Sequence, residues 1–186
     1  MPSTRRPTLA ASALVLAFAV VPALAADAED REAWAHVRTE TIDARGLVDD
    51  AAARSPSIRA LVDRLQHSDV VVYVRFARFG RTQLNGRVGF LSTGGGWRYL
   101  IVELACPRVR SEQIATLGHE LHHAVEIADA PAVIGPRSLA QHYSRIGMQV
   151  EATAGAEMFE TRGAIDEGMR VRRDLSTRTA ATTEER

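Results

Sequence analysis

The chain has 186 residues, 46% hydrophobic and 25% charged, the proportions of one globular domain and not of a collagen, a coiled coil or a wholly disordered chain. Its 23 basic and 23 acidic residues cancel, and every basic residue is an arginine. The lack of lysine excludes P-loop and Schiff-base chemistry, and balanced charge with no aromatic ladder beside the arginines argues against nucleic-acid binding.

Residues 1–25 read as a cleavable signal peptide. Arg5 and Arg6 supply the positive start, Leu9 to Val21 the apolar stretch, and Ala23-Leu24-Ala25 the small residues that signal peptidase reads. The apolar stretch is short for a bilayer-spanning helix, and no cysteine follows it to take a lipid, so a periplasmic or secreted location is expected. Processing removes two arginines and no acids, leaving 21 basic and 23 acidic groups in a mildly acidic mature domain. Cys106 is the one cysteine, so no internal disulfide is available; beside an apolar run and Pro107 it is expected to be a small buried residue at a strand end.

Along the mature chain, the Ala-, Glu- and Arg-rich segment 28–45, with Trp34 and Val37, predicts an amphipathic helix stopped by Gly46. Ser55 and Pro56 predict the cap and first turn of a second helix, carried by Ile58, Leu61, Val62 and Leu65. Three apolar runs, Val70–Val74, Val88–Leu91 and Trp97–Leu104, predict strands, the last two joined by a hairpin at Thr93-Gly94-Gly95-Gly96. Helices are then expected from about Ser111, as N-cap, to Ala128, from Ser138 to Gly147, and from Glu157 to Leu175. Residues 176–186 are polar and read as a disordered tail. The order predicts an α+β domain over residues 26–175: N-terminal helices, a small antiparallel sheet of about three strands, then a helical half.

The chemistry lies in the third of these helices. Thr116-Leu117-Gly118-His119-Glu120-Leu121-His122-His123-Ala124-Val125 contains H-E-x-x-H at His119, Glu120 and His123. At about 100° per residue the two histidines stand about 40° apart and one turn apart in height, so both imidazoles reach one ion. Glu120 lies about 100° round from His119, on the side where a water on that ion would sit. Leu117, Leu121 and Val125 give the helix an apolar side to bury.

This segment resembles the active-site helix of the zincin metallopeptidases, including the uncharged positions around the histidines. It is also similar to the helix of small exported bacterial proteins of unassigned substrate. The resemblance implies His119 and His123 as zinc ligands and Glu120 as general base acting through metal-bound water. In the gluzincin branch the third ligand is a glutamate from a later helix, and Glu160, with Gly163 and Ala164 three and four residues on, matches that place. The usual aspartate four residues after that glutamate is Ala164 here, which leaves the orienting group open; Glu126, about 20° from the face of His119, is one substitute. Asp129 holds the metzincin position but lacks the glycine turn before it, and Glu157, Glu151 and His142 stay as further alternatives. His122 faces away from His123 and reads as a packed or solvent-facing residue, Tyr143 as a core aromatic or a substrate-polarising group, and His36 and His67 as surface residues.

The expectation is therefore an exported Zn2+-dependent hydrolase, a metallopeptidase acting on a peptide or protein, with no nucleic-acid partner and no membrane insertion after processing. A non-catalytic zincin-like binding module, or an envelope-associated structural protein, is the alternative.

Overall fold

The computed structural model describes residues 35–79, 84–150 and 158–184, with side chains to Thr177. The signal segment, Glu151 and Glu157 lie outside the described residues. In chain order the elements are β1 (Val37–Thr39), α1 (Ile42–Arg54), α2 (Pro56–Gln66), β2 (Val70–Ala77), β3 (Gly86–Gly94), β4 (Trp97–Ala105), α3 (Arg110–Ala128), α4 (Pro136–Ile146), β5 (Met148–Val150), β6 (Met158–Glu160) and α5 (Arg162–Glu184). The class is α+β, as the blocks of strands and helices predict.

The sheet differs from the expected antiparallel triplet. Its order is β1-β2-β4-β3, with β1 and β4 both parallel to β2 and β3 antiparallel to β4. The unbroken run Val70-Val71-Val72 is buried throughout, the pattern of a central strand covered on both faces and not of a half-exposed meander. β3 is one of the two edge strands, β1 the other. β3 joins β4 through the expected hairpin, where Gly95 and Gly96 take φ of +60° and +84°, the left-handed pair that a two-residue turn requires.

The expected helix over 28–45 is corrected where it is described. Residues 37–39 pair with Val72 to Val74, and Val37 is buried. Local helix propensity loses here to strand pairing and burial. α1 starts after Thr41, whose hydroxyl accepts from the Ala44 N–H at 3.2 Å, so Gly46 sits inside the helix and not at its end. α2 begins as predicted, with Ser55 as cap and Pro56 in the first turn. The cap is reinforced from across the molecule: Ser55 Oγ donates to Asp174 at 2.6 Å and the Ser57 N–H donates to the same carboxylate at 3.1 Å.

α3 starts one residue ahead of the predicted cap; Val109 occupies that place and Ser111 is already helical. Glu112 in the first turn pairs with Arg172 of α5 at 2.5 Å. At the other end Arg98 of β4, 3% exposed, donates to the carbonyls of Ile127, Ala128, Ala130 and Val133 while pairing with Asp69 at 2.5 Å. One guanidinium thus satisfies carbonyls that the end of a helix leaves without intrahelical donors. The last helix runs past Leu175 to Glu184, because no glycine or proline follows Leu175 to stop it.

The core lies between the sheet and helices α1, α2 and α3, around Leu47, Ile58, Leu65, Leu100, Leu104, Leu117 and Leu121. α5 packs closely across α3: a Cβ on Gly118 would stand 2.6 Å from Val171 Cγ2. Cys106 is exposed, a correction to the buried reading: it lies beyond the last residue of β4. No described helix is long and apolar enough to cross a membrane.

Candidate metal centre

α3 is buried along most of its length, which brings its polar residues into the interior beside its leucines. His119 and His123, one turn apart, present rings 4.9 Å apart at 81°. Glu160, the last residue of β6, reaches His119 from a different element, with Oε2 3.0 Å from Nε2. One donor atom from each of His119, His123 and Glu160 lies within 4.8 Å of the others, so this group could hold a metal ion.

The third ligand predicted from the sequence is therefore brought to the histidines, on an element different from the one expected. Thr161 caps α5 by accepting from the Ala164 N–H at 3.1 Å, which ends helical geometry one residue after Glu160 and leaves the glutamate on a strand. Gly163 also serves another neighbour: a Cβ there would lie 2.6 Å from His122 Nε2. Of the alternatives, the two among the described residues, Asp129 and His142, do not join the group. Asp129 is 64% exposed at the end of α3 and pairs with Arg64 at 2.6 Å. His142, on α4, stacks edge-on against Tyr143.

Glu126 is the orienting group. Its Oε2 lies 2.8 Å from His123 Nδ1 and its Oε1 accepts from Thr161 Oγ1 at 2.6 Å. A carboxylate at Nδ1 directs the Nε2 lone pair of His123 away, towards the ligand group. Burial pushes the Glu126 carboxyl up, but the hydrogen bonds from His123 and Thr161 outweigh it and hold the group below the usual glutamate range. Tyr143, 5% exposed, has its hydroxyl 3.1 Å from the His123 carbonyl and 3.2 Å from Glu126, so that hydroxyl supports the second histidine. Burial beside Glu126 keeps this phenol protonated. Sequence reasoning singled out Glu126 by helical phase; Tyr143 and Thr161 depend on chain crossings for which the sequence carries no local signal.

For His119, burial disfavours the charged ring, but the Glu160 hydrogen bond and the neighbouring carboxylates of Glu120 and Glu160 prevail and raise its pKa. The Ala164 backbone also hydrogen-bonds this ring. His122 sits on the other flank of α3, 3.7 Å from Glu126 Oε1 and 3.9 Å from Glu167, clear of the ligand group. His67 is exposed as expected, whereas His36 is half-buried, with its Nδ1 2.8 Å from the Leu65 carbonyl.

Glu120 is 5% exposed and lies against β3, where a Cβ on Gly86 would come within 2.7 Å of its Oε1. Burial, offset by the two histidines and reinforced by Glu160, pushes its carboxyl up to about 7. A carboxyl so tuned takes and returns a proton near neutral pH.

A cleft opens at this point in two lobes. One, of about 530 Å³, includes Asn85, Thr116, His119, Met169 and Arg172; the other, of about 360 Å³, includes Phe90, His123, Leu139 and Phe159. Gly86, Glu120, Met158 and Glu160 line both, so the lobes meet at the carboxylates.

Comparison of the chain with family models, with characterised proteins and with solved structures finds no match.

Proposed function

We propose that the protein is an exported zinc-dependent hydrolase of the HExxH kind, related in chemistry to the zincin metallopeptidases and acting on peptide bonds. The observation that carries this reading is the convergence of His119, His123 and Glu160 beside a buried Glu120, at the meeting point of two open lobes. Two histidines and one carboxylate form a three-ligand set suited to zinc, with a position left for water or substrate. Zinc held there supplies Lewis acidity, polarising a carbonyl and acidifying a water.

The protein's own residues supply the rest. Glu120, buried beside the two histidines, would accept the proton of the attacking water and hand it to the leaving amine. Glu126 and Tyr143 hold His123 in place, and Ala164 steadies His119. β3, an edge strand running past Glu120 along the cleft, offers an extended peptide a partner for strand addition. Export rests on the basic, apolar and small-residue pattern of residues 1–25 and places the enzyme in the periplasm or outside the cell.

The test is elemental mass spectrometry of the purified chain lacking residues 1–25, followed by peptide hydrolysis. We expect one zinc per chain, lost in His119→Ala and His123→Ala and reduced in Glu160→Ala. Glu120→Gln should keep the zinc and lose hydrolysis by at least about 100-fold. No zinc uptake by the folded chain overturns the reading; zinc without hydrolysis of any peptide leaves a binding module.

A further inference from the structure

We propose that a cavity at the end of the sheet where the parallel strands β2 and β4 finish is an anion site that takes a phosphate ester, a role separate from the metal centre. The cavity encloses about 440 Å³. Arg78, which follows β2, and Arg108, which precedes α3, stand in its wall, and Phe79, Leu84, Ala105 and Pro107 form its apolar part. No carboxylate lines it. The charge around it is one-sided. From Val70 to Val102 the sequence holds five arginines and no acid, in a chain whose charges otherwise balance. Two of them, Arg75 and Arg87, share Glu103 at 2.7 and 2.5 Å, and the Arg87 guanidinium lies 5.4 Å from the centre of the Phe79 ring at the cavity wall. Glu40 acts on Arg75 through charge alone. Arg108 donates to Asn85 Oδ1 at 3.2 Å, and Arg78 has no polar partner among the described residues, so most of the donors at the cavity are free.

Two guanidinium groups brought in by different segments suit a tetrahedral oxyanion. Phosphate presents oxygens in several directions and engages both at once, whereas the two oxygens of a carboxylate lie in one plane and a single arginine fork satisfies them. The volume exceeds that of a bare phosphate and falls in the range of sites that enclose small organic ligands, and the surface of Phe79, Leu84 and Pro107 gives the carrier of the phosphate an apolar contact. A phospholipid headgroup and a soluble phosphate ester share this chemistry. The cavity also adjoins the cleft: Leu84 lines both it and the larger lobe, and Asn85, which Arg108 holds, lines that lobe too.

Cys106 supplies a local readout, since it is the one cysteine, is exposed and lines the same cavity. The purified processed protein is titrated with phenyl phosphate while alkylation of Cys106 by iodoacetamide is followed, with a chelator present so that no ion at His119, His123 and Glu160 takes the phosphate itself. Labelling should slow by at least about fivefold once the ester is well above its Kd. The affinity should fall about tenfold or more in Arg78→Gln and in Arg108→Gln, and in wild type as salt is raised. Arg173→Gln, at an exposed arginine of α5, should leave it within about twofold. Circular dichroism checks that each variant is folded, and either cavity variant alone decides the point. Vesicles separate the two sources of phosphate. Co-sedimentation with phosphatidylglycerol in preference to phosphatidylcholine, lost in Arg78→Gln, identifies a lipid headgroup. Protection by phenyl phosphate without vesicle binding identifies a soluble ester. Labelling unchanged by phenyl phosphate up to ~10 mM, with no binding to either vesicle, overturns the site, and so does protection that survives both arginine substitutions. Neither result touches the hydrolase reading, which is tested on zinc and peptides.

Discussion

At the scale of single residues, the closest constraint on the chemistry is a missing side chain. Gly86 lies so near Glu120 that a Cβ would stand 2.6 Å from Thr116 Cγ2 and 2.7 Å from Glu120 Oε1. Gly86→Ala should therefore displace the base without touching the ligands, lowering hydrolysis by about 100-fold while zinc content stays at one per chain. Glu126 should act the other way, through the metal: Glu126→Ala leaves His123 Nδ1 without its carboxylate and should weaken zinc affinity about 10- to 100-fold, measured by competition with a chelator. His119, Glu120 and His123 were legible in the sequence because helical pitch alone sets their relation. Glu126 was legible for the same reason, three residues beyond His123 on the same helix. Glu160 was legible as a residue type at a plausible distance along the chain, but its strand was not, because the cap at Thr161 that ends helical geometry depends on one hydroxyl. Tyr143 was undecided in the sequence, since nothing local shows where a hydroxyl on α4 meets a carboxylate on α3.

At the scale of elements, most helices and strands follow from period and punctuation, and the misses have one cause. β1 lies in a stretch whose composition favours a helix, and its strand character is conferred by β2, far along the chain. The parallel pairing of β2 and β4 is hidden for the same reason: β3 intervenes in sequence yet lies outside in space. Caps that depend on neighbours in sequence, as at Ser55, were readable, but the reinforcement from Asp174 was not. Burial pushes the Asp174 carboxyl up, and the hydrogen bonds from Ser55 and Ser57 outweigh it, so its pKa in the folded chain lies below the ordinary 3.8. A carboxylate with a lowered folded pKa stabilises the fold above the unfolded value and loses that contribution as pH falls through the folded one. Screened by the solvent around Asp174, the loss of these hydrogen bonds in Asp174→Asn should cost no more than about 1 kcal/mol near neutral pH. In thermal melts its difference from wild type should shrink as the pH drops below 3.8.

For the molecule as a whole, the site depends on how closely α5 lies on α3, an approach that Gly118 permits. Gly118→Ala would force its methyl into Val171, found 2.6 Å away, and should destabilise the protein by about 1 to 3 kcal/mol in denaturant melts. Val171→Ala in the same chain should recover part of that loss, a coupling that independent sites would not show. The distribution of the ligands along the chain also sets an order of assembly. The β3–β4 hairpin closes through a two-residue turn, so it can form within microseconds, whereas β1 must find β2 across the whole of α1 and α2. His119 and His123 share a helix, but Glu160 waits for β5 to turn back through β6. A chain built from its N-terminus therefore carries an incomplete set of these three side chains until all but its last helix has been made, so whatever the group holds is bound late.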